Sequence, residues 1–132
     1  MSINKVILVG NVGRDPEVRY LERGVAVATI PLATSEPARR AADGTDGTEF
    51  PEQTEWHHIV AWRQMAEFSE KYVRKGALLY IEGKLRTRQW TDREGRTTSR
   101  TEIVADTLQL LSKRPDLQQA EQAAPNADGQ NA

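Results

Sequence analysis

Cysteine is absent from the chain, which excludes both a disulfide framework and a thiolate zinc site. Long apolar runs are absent as well, and none approaches the about 20 residues that a membrane-spanning helix needs. A basic-then-apolar leader is missing too, because Met1-Ser2-Ile3-Asn4-Lys5 runs straight into a strand-like pattern. Together these lacks predict a soluble, cytoplasmic protein with no membrane partner. Nor does charge of one sign dominate: 18 Lys and Arg face 19 Asp and Glu over 132 residues, a net charge of −1. Composition by itself therefore gives no hint of a polyanionic ligand. From Ser112 onward large hydrophobics nearly vanish in favour of Gln, Ala, Asn, Asp and Pro. The chain thus divides into one domain with a real core, residues 1–112, and a polar tail, residues 113–132, expected to be disordered.

Aromatics are scarce and unevenly placed, with all three Trp between Gln53 and Trp90. Gln53 to Trp62 is rich in β-branched and aromatic residues and reads as a strand. On a strand, Trp56, His58, Val60 and Trp62 share one face, while His57, Ile59 and Ala61 share the other. In the strand from Ala77 to Trp90, Leu79, Ile81 and Leu85 fall on one face and Lys84, Arg86, Arg88 and Trp90 on the opposite one. An indole among three cations is poorly placed for burial, so exposure is expected at Trp90. Taken alone, such a strand reads as a solvated surface. Two strands that both show aromatics beside cations suit a ligand with an anionic backbone and unpaired flat rings, which describes single-stranded nucleic acid. A duplex reader would instead offer a basic helix or ribbon.

Charge distribution agrees with that reading. Lys71 to Arg100 holds nine basic and three acidic residues, a local surplus of six, whereas Glu36 to Trp56 holds six acidic and two basic. A ligand responds to the local field, not to the total.

Along the chain, Asn4 to Gly13 reads as a first strand whose Val6-Ile7-Leu8-Val9 run is expected to be buried on both faces or to line a barrel interior. Gly10 and Gly13 bend it, and Val18 to Tyr20 continues it after the Arg14-Asp15-Pro16-Glu17 turn. The Glu22-Arg23-Gly24 turn leads to a second strand, Val25 to Thr34, whose alanines suit a narrow barrel. Glu36 to Gln53 is a long polar connection with several turn signals, expected to form a protruding binding loop. Its Asp43 to Glu49 run resembles a calcium loop in composition but lacks the ligand spacing, so neither metal nor cofactor is expected. Arg63 to Lys75 is a helix with Met65, Phe68, Tyr72 and Val73 turned to the core and Gly76 at its stop. Asp92-Arg93-Glu94-Gly95 is a hairpin turn, and Arg96 to Leu111 the last strand, with Ile103, Ala105, Leu108, Leu110 and Leu111 as its apolar part. The fold class is all-β with one helix: a five-stranded Greek-key barrel of the oligonucleotide/oligosaccharide-binding (OB) type with long hairpins.

Several stretches resemble the bacterial single-stranded DNA-binding protein family in order and spacing. They are Asn4-Lys5-Val6-Ile7-Leu8-Val9-Gly10-Asn11-Val12-Gly13, Asp15-Pro16-Glu17-Val18-Arg19-Tyr20, Gln53-Thr54-Glu55-Trp56-His57, Tyr80-Ile81-Glu82-Gly83-Lys84-Leu85-Arg86-Thr87-Arg88 and Trp90-Thr91-Asp92. The resemblance spans about Ile3 to Leu111. It implies an OB barrel that assembles as a homotetramer and binds single-stranded DNA without sequence preference in replication, recombination and repair. Trp56, Trp62 and Trp90 match the stacking aromatics. Arg63, Lys75, Lys84, Arg86 and Arg88 are expected to track phosphates, with His58 beside them, while His57 and Tyr80 are expected at a subunit interface. Two departures stand out. A further family aromatic has no counterpart in Ser35-Glu36-Pro37-Ala38. Pro125 to Ala132 also lacks the acidic, aromatic-tipped peptide that recruits replication and repair proteins in this family, so recruitment is not supported.

Two rival classes fit the residues less well. A nuclease would need clustered carboxylates or an activated nucleophile, and Glu82, Asp92 and Glu94 are scattered along strand faces and turns, so no enzyme is expected. A protein-interaction barrel of the primosome kind shares the fold but would have no need of three aromatic platforms.

Overall fold

The computed structural model describes residues 1–40 and 49–113. Ten elements follow in order: β1 (Val6–Val12), β2 (Glu17–Tyr20), a 3₁₀ turn (Glu22–Gly24), β3 (Ala26–Glu36), β4 (Arg39–Arg40), β5 (Glu49–Phe50), β6 (Gln53–Trp62), α1 (Gln64–Tyr72), β7 (Leu78–Thr91) and β8 (Thr97–Leu110). The expected loop from Glu36 to Gln53 is described only at its ends, where β4 and β5 pair. Most of its Asp43 to Glu49 run, and nearly all of the tail expected from residue 113, lie outside the described residues.

The main sheet has the order β1-β7-β8-β6-β3-β2, and an additional β1–β3 pairing closes it into a barrel. All its pairings are antiparallel except β6–β8, where Ile59 and Val60 face Ile103 and Val104 in parallel. Both β1 and β2 pair with β3, so they are two halves of one bent strand. The barrel therefore has five strands, in keeping with the element order in the sequence. Close crossing needs glycine at two points: a Cβ on Gly10 would run into the Ala33 carbonyl, and one on Gly83 into the Val104 carbonyl.

Inside lies a cluster of Val12, Ile30, Leu32, Ile59, Val73, Leu79, Ile81, Ile103 and Ala105. Ile59 and Ala61 point inward from β6, while Trp56 and Trp62 point outward, as alternation requires. Helix α1 sits on a second cluster, Ala26, Ala28, Ala61 and Ala66. The alanines thus serve close seating of the helix on the sheet. The helix is shorter than its expected span: Val73 is already extended, and its buried face is Ala66 and Ser69, with Met65 and Phe68 partly covered. Ser69 is satisfied by donating to the Met65 carbonyl at 2.7 Å. Gly76, at φ 91°, makes the turn into β7 instead of ending the helix.

One burial expectation needs correction. Ile7 and Val9 are exposed, because β1 alternates and only Gly10 and Val12 of its inward positions are fully covered. Leu85 is exposed, because β7 runs beyond the barrel after Gly83. There the Asn4 side chain takes a strand's place, accepting from Leu85 N–H at 2.9 Å and donating to the Leu85 carbonyl at 3.0 Å. In β8 the inward residues switch from Ile103 and Ala105 to Leu108 and Leu110. The cause is a bulge: Glu82 faces Thr107 while Gly83 faces Ala105, so Asp106 is extra and flips the parity beyond it.

Candidate nucleic-acid interface

The strands that close the barrel also lay out its working surface. Five neighbouring strands turn side chains to one outer groove of about 420 Å³: Lys84, Arg86 and Arg88 from β7, Glu102 and Val104 from β8, Val60 and Trp62 from β6, Val27 and Thr29 from β3, and Arg19 from β2. Its floor is apolar and its rim cationic. Among the described residues Arg19, Lys84 and Arg86 have no ion-pair partner, whereas Arg88 is paired with Glu102. A flat base can lie on the Trp62 ring while neighbouring phosphates meet the rim.

A second surface lies around Trp56, lined by Gly13, Arg14, Pro31 and His58. Gly13 is needed there because a Cβ would meet the indole ring of Trp56. The bend after β1 thus lets a backbone segment slide under the ring. Trp90 stands apart near the end of β7, opposite Thr98, with the Arg100 guanidinium carbon 5.8 Å from its ring centroid. The hairpin that carries it is closed by Asp92, whose Oδ1 accepts from the N–H of Glu94 and of Arg96, both at 2.9 Å. All three indoles are open: Trp56 is 55% exposed, Trp62 40% and Trp90 40%.

The structure therefore gathers Trp62, Lys84, Arg86 and Arg88 in one groove and puts Trp56 with His58 in another. Arg63 lies in neither. It caps α1 at φ 58° and ψ −120°, a region that L side chains avoid, and lines a small cleft with Arg23, itself at φ 67°. Lys75 lines a cleft with Tyr72 and Arg74, its N–H donating to Asp15 Oδ1 at 2.8 Å, one residue from the Arg14 rim of the Trp56 surface. His57 is half-buried on the far face of β6, with Nε2 2.8 Å from Thr34 Oγ1. Tyr80 is half-buried opposite Val9. Desolvation, reinforced by Glu82, raises its phenol pKa. Tyr20 is raised too, chiefly by donating to Glu70 at 2.7 Å, which ties β2 to α1. Among the described residues no group of three or more His, Asp or Glu converges as a metal cluster would, and no helix is long and apolar enough to cross a membrane.

Sequence reasoning overlooked Arg14, Arg19, Arg100 and Glu102. The signal for the last two was present: the hairpin turn at Asp92 to Gly95 fixes the β7–β8 register, which sets Glu102 against Arg86 and Arg100 against Arg88. Arg14 and Arg19 reach their surfaces only through the bend between β1 and β2.

Comparison with known proteins finds relatives whose names state single-stranded DNA binding. A protein "Single-stranded DNA-binding protein" of Bacteroides thetaiotaomicron is 52% identical over 114 residues, covering 86% of this chain and 69% of that protein. The solved structure of Plasmodium falciparum SSB in complex with ssDNA superposes with a TM-score of 0.74 at 33% identity, over 85% of this chain and 97% of that one. The model of the single-strand binding protein family matches residues 3–111, and the chain belongs to that family.

Proposed function

We propose that this chain binds single-stranded DNA without sequence preference and covers it during replication, recombination and repair. The observation that carries this reading is the set of three open indoles on the outer surface of the barrel, two beside cations and the third beside Arg100. Trp56, Trp62 and Trp90 stack bases; Lys84 and Arg86, with Arg19 and Arg14, meet phosphates, and His58 lies beside the base held at Trp56. Arg63 and Lys75 extend the phosphate track at either end. The chain acts by binding and carries out no reaction, and it works in the cytoplasm. The test is tryptophan fluorescence on titration with oligo(dT) at two salt concentrations, with duplex DNA as control. Saturable quenching by the single strand alone is expected. Absence of quenching would leave a barrel of the same fold whose surface serves protein contacts.

The same reading includes a homotetramer. Support comes from the outer face of β1, where exposed Ile7 and Val9 lie beside half-buried Tyr80 with no covering element among the described residues. The edge of β1 before Asn11 also pairs with no strand among the described residues on the side away from β7. His57 contributes on the opposite face of β6 from Trp56. Light scattering at micromolar protein checks the stoichiometry, and a monomer would remove this part of the reading.

A further inference from the structure

One cation in the Trp62 groove is bonded unlike the others. Arg88 donates from Nε to Glu102 Oε1 at 2.8 Å and from Nη2 to Glu102 Oε2 at 3.3 Å. Glu102 is 4% exposed, whereas the Arg88 side chain is 59% exposed. A buried carboxylate therefore stands beneath an open guanidinium in the groove wall. Two bonds along one edge fix the plane of the guanidinium. Drawing Arg88 away would leave Glu102 charged, buried and unpaired, which is strongly unfavourable. The pair carries no net charge, and a phosphate brought to Arg88 also meets the repulsion of the Glu102 carboxylate. Phosphate binding thus gains little here. The flat face of the guanidinium stays available, and bases stack on such planes.

The register shows how the side chains come to lie this way. Arg88 and Arg100 are directly opposite on β7 and β8, an arrangement that like charges disfavour. Each leans along the diagonal, Arg88 toward Glu102 and Arg100 toward the Trp90 ring. Two planar groups, Arg88 and Trp90, then follow each other two residues apart on the same strand face.

We propose that Arg88, held flat by Glu102, is a base-stacking platform and not a phosphate contact. It supplies a fourth planar surface to an interface with only three indoles. This inference rests on the single-stranded DNA reading of the groove and replaces the phosphate role that the sequence suggested for Arg88.

The test is Arg88→Lys, which keeps the charge and its attraction to Glu102 but removes the plane, with circular dichroism to verify the fold. Affinity for oligo(dT) is expected to fall about fivefold or more, with the slope of log K against log salt unchanged. An abasic strand of equal length should bind both proteins alike. Glu102→Gln is the second variant, because it frees the Arg88 charge without changing shape; its salt slope should steepen by about 0.7 as one more phosphate is engaged. Wild-type affinity in Arg88→Lys, or a slope about 0.7 shallower with the loss carried over to the abasic strand, would overturn the platform. An unchanged slope in Glu102→Gln would also count against it. Failure of the wild type to bind oligo(dT) would instead remove the DNA reading itself, and the platform with it.

Discussion

Two outer surfaces of the same barrel differ in almost every respect. Across β7, β8, β6, β3 and β2 the surface combines Trp62 and a short apolar floor with Arg19, Lys84 and Arg86. Across β1 and the first half of β7 it presents Ile7, Val9 and Tyr80, with its nearest charges, Lys5 and Glu82, joined in an ion pair at 3.2 Å. The first surface keeps Arg19, Lys84 and Arg86 without an ion-pair partner among the described residues and its ring open, which suits a polyanion with flat bases. The second neutralises its charges and leaves aliphatic side chains exposed, which suits another protein surface. On the proposed reading, one five-stranded wall separates ligand contact from self-contact by strand, and the backbone topology does the sorting.

The comparison can be broken most severely from the DNA side. Removing two platforms with Trp56→Ala and Trp90→Ala should weaken oligo(dT) binding about thirtyfold or more, since stacking is worth about 1–3 kcal/mol per base in single-strand binders, this family among them. Fluorescence anisotropy with labelled oligo(dT) measures it, and assembly by light scattering should not move. A double variant with wild-type affinity would refute the stacking role.

Neutralising the rim with Lys84→Gln and Arg86→Gln should act on salt dependence. Without these two cations the slope of log K against log salt should flatten by about 1.4, readable from titrations between low and moderate salt. An unchanged slope would mean that these side chains do not meet phosphates. The opposite surface is tested by Val9→Asp, which sets a carboxylate among Ile7 and Tyr80. Association should weaken by at least about tenfold in protein concentration, a buried unpaired charge being costly, while affinity per barrel for a short oligo(dT) stays near wild type. Analytical ultracentrifugation reads the first effect. Equal dissociation by the Lys84/Arg86 variant would blur the division.

The smallest effect is expected at Arg63. Its backbone at φ 58° and ψ −120° is strained for any residue with a Cβ, so Arg63→Gly should raise stability by about 1 kcal/mol after the entropy of the freer chain is subtracted. Thermal melting should show a rise of a few degrees. The same variant should flatten the salt slope by about 0.7 if Arg63 also reaches a phosphate. A lowered melting temperature would show that the guanidinium contributes more to the fold than its backbone costs.

Much of this is readable in the sequence, for reasons specific to each element. β6 matches its expected bounds because its polar start, alternating middle and Trp62 are unambiguous. Ile59 and Ala61 are buried and Trp56 and Trp62 exposed because period-two alternation leaves no other arrangement in a barrel wall. The run Val6 to Val9 misleads because an unbroken apolar stretch looks the same whether its outward half meets a core or a neighbouring molecule. Leu85 shares a face with the buried Leu79 and Ile81 and is exposed all the same, because nothing local marks where β7 leaves the barrel. The parity change in β8 is hidden because the bulge at Asp106 is a matter of pairing register with β7, and nothing in β8 itself announces it.

The residues by themselves determined the order of elements along the chain, the alternation within β6, the position of the turns and the chemistry available to a ligand: three indoles and a cluster of cations. These are local properties, fixed by periodicity and by side-chain type. Only the tertiary structure decided which of them act together. Strand pairing across β2, β3, β6, β8 and β7 gathers Arg19 with Trp62, Lys84 and Arg86, residues far apart along the chain. It slides Gly13 under Trp56 and leaves Ile7 and Val9 facing outward. It also buries Glu102 under Arg88. Gathering Arg19 and seating Gly13 depend on register between distant strands, which the sequence near any one residue does not carry, whereas the place of Glu102 follows from the β7–β8 hairpin register.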